Sequence, residues 1–203
     1  MTKIKICGLK RPEDVAYVNE FLPEYAGFVF AESSRQVDAK KARQLKALLS
    51  PEIQAVGVFV NASVEDIAFL YQEHIIDLAQ LHGDETEGYI KKLKGRCPRL
   101  PLIKAVRVKN TRQILDAEKL PCDYLLLDTW QKDSYGGSGK SFDKSLIPFL
   151  KKPWFLAGGL SAENVNENIN LSNPWAVDVS SAVETATYKD RQKIQQFIAS
   201  VRA

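Results

Sequence analysis

The residues able to do chemistry lie in short polar clusters spread along the chain: Cys7-Gly8, Gln80-Leu81-His82-Gly83, Lys104 with Arg107, Asp128-Thr129, Gly158-Gly159 and Asp178-Val179-Ser180-Ser181. A cysteine acts as a base only as the thiolate, and the neighbouring cations Lys5, Lys10 and Arg35 would favour that form. A strand cysteine taken alone is an inert buried hydrophobe. Asp128 placed opposite such a base would serve as an acid, provided burial raises its pKa. His82 reads either as a third proton carrier or as a hydrogen-bonded lining residue. Lys104 reads either as a Schiff-base lysine or as a charge-paired side chain.

Gly158-Gly159 precedes a helix start at Ser161-Ala162-Glu163-Asn164, a capping-box-like signal. Glycine lets a ligand approach the backbone closely, and the amides of a helix N-terminus favour an anion. Ser180-Ser181 supplies a second half, so the two segments together predict a phosphate site. The stretch Gly136-Gly137-Ser138-Gly139-Lys140-Ser141 imitates a nucleotide-binding P-loop, but Ser134 stands where that motif needs glycine. It reads instead as a loop that closes over a phosphorylated ligand.

The elements that must carry these clusters are eight apolar, β-branched runs: Ile4 to Cys7, Tyr25 to Phe30, Ala55 to Val60, Leu78 to Leu81, Leu102 to Val108, Tyr124 to Asp128, Trp154 to Ala157 and Ala176 to Val179. Amphipathic segments separate them. Arg11-Pro12-Glu13-Asp14 looks like a helix start, and Ile194, Phe197, Ile198 and Val201 share one face of the last segment. Eight strands alternating with helices predict a single-domain (β/α)8 TIM barrel over residues 1–203, whereas an open doubly wound sheet has about five or six strands. In such a barrel the active site lies at the C-terminal strand ends, where the polar clusters fall.

Composition narrows the function classes. The 203 residues carry 28 basic and 25 acidic side chains, a net charge of +3, with no basic block suited to nucleic acid. No apolar run approaches the ~18 residues of a membrane span, and no signal core follows the N-terminal lysines. Three scattered cysteines, Cys7, Cys97 and Cys122, suit a reducing, cytoplasmic setting and offer no metal-ligand spacing.

The segments Lys5-Ile6-Cys7-Gly8-Leu9, Gly57-Val58-Phe59-Val60-Asn61, Gln80-Leu81-His82-Gly83, Leu127-Asp128, Gly136 to Asp143, Ala157-Gly158-Gly159-Leu160 and Val177 to Glu184 occur in the order seen in phosphoribosylanthranilate isomerases, which the chain resembles from residue 3 to about Asp190. The resemblance implies phosphoribosylanthranilate as substrate and a cofactor-free Amadori rearrangement in tryptophan biosynthesis, by a monomer or homodimer. It implies Cys7 as general base and Asp128 as general acid, with Arg35 on the anthranilate carboxylate and the phosphate against Gly159, Ser180 and Ser181. His82, Arg107, Gly137, Gly158 and Asp178 complete the expected binding set. Two positions depart from the family pattern: Ser34, where proline often precedes the arginine, and Lys144, where tryptophan often follows Phe-Asp. The rival readings are a histidine-pathway-type sugar isomerase, expected to have aspartate in place of Cys7, and a phosphometabolite-binding module without catalysis.

Overall fold

A computed structural model describes residues 1–129 and 143–203. Eight parallel strands, β1 (Lys3–Cys7), β2 (Tyr25–Val29), β3 (Gln54–Phe59), β4 (Leu78–Leu81), β5 (Leu102–Val108), β6 (Tyr124–Thr129), β7 (Trp154–Leu156) and β8 (Ala176–Val179), close into a barrel in sequence order. Every expected strand is present with its ends within one residue. Around it run α1 (Pro12–Phe21), α2 (Ala39–Leu48), α3 (Val64–Gln72), α4 (Glu87–Arg96), α5 (Thr111–Glu118), α6 (Val165–Ser172) and α7 (Arg191–Arg202). Between β6 and β7 the described residues hold only a 3-10 turn, Lys144–Leu146, and a hairpin of β9 (Glu184–Thr185) and β10 (Tyr188–Lys189) precedes α7. Among the described residues no helix is long and apolar enough to cross a membrane.

Alternation along each strand sorts side chains into two layers. Ile4, Ile6, Phe28, Phe59, Leu81, Leu125, Leu127, Leu156 and Val177 face the helices, where they meet Ile194, Phe197, Ile198 and Val201 of α7. Tyr25, Val56, Leu78, Ile103, Leu126, Phe155 and Ala176 pack against one another inside the barrel. Tyr25 and Tyr124 both pack on the ring of Phe155, at centroid separations of 5.3 and 5.8 Å. This apolar plug fills the lower interior. Two residues further along the same strands the inward positions turn polar: Lys5 and Cys7 on β1, Gln80 on β4, Asp128 on β6 and Asp178 on β8.

At the opposite, N-terminal rim, the carboxylate immediately before β2, β4 or β6 accepts an N–H from the first or second residue of the strand before it. Glu24 takes Ile4 N at 2.8 Å, Asp77 takes Ala55 N at 2.7 Å and Asp123 takes Leu102 N at 2.7 Å. These are the donors a strand leaves exposed where its ladder begins. Lys46 and Lys94 balance the charges of Asp77 and Asp123.

Helix α1 begins as its sequence suggests, with Asp14 accepting from Lys10 N and Arg11 N. Helix α6 does not. Its first residue is Val165 rather than one near Ser161, because the Asn164 side chain bridges Ser161 N (2.9 Å) and Gly159 O (2.8 Å) and winds those residues into a turn.

Replacing Asp77 with alanine orphans the N–H of fully buried Ala55, and we expect a loss of about 1–3 kcal/mol in urea unfolding. Lys91→Ala, which breaks only the exposed Lys91–Glu87 pair, should change stability by less than about 0.5 kcal/mol. Equal effects from the two would show that the rim carboxylates do not anchor the strands.

Candidate active site

A cavity of about 1060 Å³ opens at the C-terminal ends of the strands and is lined by Cys7, Arg35, His82, Asp128, Gly158, Gly159, Asp178, Ser180 and Ser181 together with Val29, Val58, Gln80 and Asn164. Cys7 is buried and faces inward from β1. Its cross-strand partner is Gly27, where an added Cβ would stand 2.7 Å from the Cys7 sulfur, so the glycine makes room for it. Burial pushes the thiol above its ordinary range, and the Lys5 ammonium is the largest opposing influence. Lys5 itself is wholly buried and bonds Asp178 at 2.9 Å. Burial works against its charge, but Asp178 and Cys7 outweigh that cost and keep it an ammonium.

Across the cavity, Asp128 is 6% exposed and accepts from Thr129 N at 2.7 Å. Gly158 permits this arrangement: a Cβ there would fall 2.7 Å from Asp128 Oδ1 and 2.3 Å from Thr129 Oγ1. His82 Nδ1 lies 2.9 Å from the Gln80 side-chain amide, within hydrogen-bond reach. His82 Nε2 is 3.3 Å from Asp128 Oδ2, at ion-pair distance but without the alignment of a hydrogen bond. His82 therefore stands beside the candidate acid, and Gln80, which shares its face two residues earlier, orients it.

The β7 and β8 ends form an anion cradle. Gly158 and Gly159 both adopt positive φ, 82° and 71°, turning the backbone toward the cavity. The N–H groups of Gly159, Leu160 and Ser181 have no partner among the described residues. Such free amides, together with the first turn leading into α6, suit phosphate oxygens. Ser180 differs from expectation. Its hydroxyl donates to Cys7 O at 2.9 Å and ties the end of β8 to the end of β1, leaving no hydroxyl proton for an anion.

Arg35 crosses the mouth over Gly8, whose φ of 88° and missing Cβ leave the space that Arg35 Cδ occupies. Its fork grips Glu184 through Nε and Nη2, both at 2.7 Å. Glu184 also accepts from Lys189 Nζ at 2.6 Å. Its carboxyl is held below the usual range, because these two cations outweigh the effect of burial. Two of the five guanidinium N–H donors are thus engaged and Nη1 remains for a ligand.

Three sequence readings fall elsewhere. Arg107 does not line the described cavity, although β5 sets it opposite Asp128; its guanidinium pairs with Asp84 at 2.9 Å. Gly137 lies outside the described residues. Lys104 belongs to the outward face of β5, where Glu85 Oε2 (2.8 Å) and Gly83 O (2.7 Å) hold its ammonium, which removes the Schiff-base reading. The sequence placed Gln80 in a polar cluster at the mouth without giving it a role, and it did not point to Asn164 as a lining residue or to the Glu184–Lys189 pair behind Arg35. Strand parity from His82 identifies Gln80; nothing local signals the other three.

Residues 4–200 match the family model for N-(5'phosphoribosyl)anthranilate (PRA) isomerase. An N-(5'-phosphoribosyl)anthranilate isomerase of Endomicrobium trichonymphae is 47% identical over 203 residues, covering 100% of both chains. The crystal structure of phosphoribosyl anthranilate isomerase from Thermotoga maritima superposes with a TM-score of 0.87 at 36% identity, covering 100% of this chain and 99% of that one. A phosphoribosyl anthranilate isomerase solved with reduced 1-(o-carboxyphenylamino)-1-deoxyribulose 5-phosphate has a TM-score of 0.83 at 33% identity, over 100% and 99% of the two chains. With its barrel, its inward cysteine and aspartate and these likenesses over its whole length, the chain belongs to the N-(5'-phosphoribosyl)anthranilate isomerase family.

Proposed function

We propose that the chain converts N-(5'-phosphoribosyl)anthranilate to 1-(2-carboxyphenylamino)-1-deoxyribulose 5-phosphate, with Cys7 as general base and Asp128 as general acid. The observation that carries this reading is that both side chains line one cavity, from β1 and β6, beside a rim of free backbone amides. The relative solved with the reduced product bound supports the same substrate class.

In this mechanism Asp128 gives its proton to the ribose ring oxygen. The C1–O bond breaks as the anthranilate nitrogen lone pair forms an iminium to C1. The Cys7 thiolate then removes the proton on C2, and the electron pair moves through C1 to the nitrogen to give an enolamine. Protonation at C1 and loss of the C2 hydroxyl proton yield the ketone. No electrons leave the substrate. The phosphate would rest against the amides of Gly159, Leu160 and Ser181, at the end of the cavity nearest β7 and β8. Arg35 would meet the anthranilate carboxylate through Nη1 while Glu184 fixes its fork, and His82 would stabilise the Asp128 carboxylate left after proton donation. We further infer a cytoplasmic setting, which the three free cysteines support.

Cys7→Ala and Asp128→Asn should each lower kcat by about 100-fold or more, read as the loss of anthranilate-type fluorescence during turnover. Near-normal turnover of either variant would remove that residue from its role. Arg35→Ala should raise KM about tenfold or more with a smaller effect on kcat, the scale of one charge-assisted hydrogen bond, and Arg35→Lys should not restore it because an ammonium cannot hold Glu184 through two donors. An unchanged KM in Arg35→Ala contradicts the carboxylate contact.

A further inference from the structure

We propose that Lys5 is a positioning residue of this reaction: its buried ammonium, fixed by Asp178, makes the Cys7 thiolate available as the base. This rests on Cys7 being the base. Lys5 is two residues before Cys7 on β1 and therefore shares its inward face, while the β1–β8 register sets Lys5 directly opposite Asp178. A lysine wholly enclosed among β-strands, just above an apolar plug, has no packing role that a methionine would not fill better. Asp178 neutralises it at 2.9 Å, yet that pair alone leaves its placement beside a thiol unexplained.

The charges around the sulfur explain it. Facing Cys7 are Lys5 from β1, Arg35 from the segment after β2, Asp178 from β8 and Lys189 from β10. Glu184 binds both Arg35 and Lys189, and His82 with Asp128 lies across the cavity. Lys5 pairs with Asp178, while Arg35 and Lys189 share Glu184, so on the Arg35 side of the sulfur two cations meet one carboxylate. A thiolate forming at Cys7 would face these cations in a desolvated site, where an opposite charge counts for more than in water. Lys5 is the cation with the strongest hold on the sulfur, whereas Arg35 and Lys189 share one carboxylate farther along the rim. Burial pushes the thiol up and outweighs Lys5 in the free protein, so Lys5 limits that rise and its loss would make the thiolate scarcer still.

The test reads the ionisation of Cys7 in the free protein, apart from turnover. In a Cys97→Ser/Cys122→Ser background, Cys7 is alkylated with iodoacetamide across a pH range and the modified peptide is identified by mass. Lys5→Met should slow alkylation at pH 8 about tenfold and move the profile to higher pH, the usual scale for losing one adjacent charge, and the acid limb of kcat/KM should move with it. Lys5→Arg should keep the wild-type profile. Asp178→Asn, which removes an anion and leaves the ammonium, should accelerate alkylation. A Lys5→Met profile that coincides with wild type overturns the proposal, and so does slower alkylation in Asp178→Asn, a readout that stands even if Lys5→Met fails to fold. Normal turnover by Cys7→Ala would instead remove Cys7 as the base, whatever the alkylation profiles show.

Discussion

The pairing of β1 with β8 is the constraint on which the rest of the molecule depends. It joins residues 173 positions apart, Lys5 and Asp178, in one register and closes the barrel. Because side chains alternate along a strand, this register also decides which groups meet inside: with Lys5 opposite Asp178, Cys7 must face the same cavity beyond them. Ser180 reinforces the closure by donating to the Cys7 carbonyl, and Lys189 in turn donates to Ser180 O at 3.0 Å. A slip of one residue would send the cysteine into the helical layer and Ile6 into the mouth.

Above the apolar plug, the charged groups that line the described cavity pair with partners from distant elements. Arg35 and Lys189 converge on Glu184, Lys5 on Asp178, and His82 on Asp128. Such pairing holds side chains in place before a ligand arrives, which lowers the ordering cost of catalysis. The glycines supply the complementary shape. Gly27, Gly8 and Gly158 lie where a Cβ would strike Cys7, Arg35 and Asp128 respectively, so each principal side chain of the site depends on a missing one nearby.

Much of this was legible in the residues. The β-branched runs located all eight strands, and the polar strand ends marked the mouth, because a parallel barrel leaves those positions facing the cavity. The face of α7 was equally plain, since Ile194, Phe197, Ile198 and Val201 are all buried. The pairings were not legible. Nothing near Glu184 in the sequence announces Arg35, 149 residues away, and the hairpin that delivers Lys189 has strands of only two residues. Helix α6 was misplaced because Asn164 side-chain bonds compete with the capping signal at Ser161. Arg107 read as a binding residue because it is a polar residue of β5 near the mouth, and the long-range pair it makes with Asp84 had no signal in the sequence.

The most direct test of the central claim is a crystal structure of this protein with reduced 1-(o-carboxyphenylamino)-1-deoxyribulose 5-phosphate bound. The account predicts the sugar chain lying between the Cys7 sulfur and the Asp128 carboxylate, with the sulfur in contact with C2 and the phosphate against the amides of Gly159 and Ser181. A ligand bound with Cys7 and Asp128 on the same side of the sugar chain, or with the sulfur out of contact with C2, would contradict it.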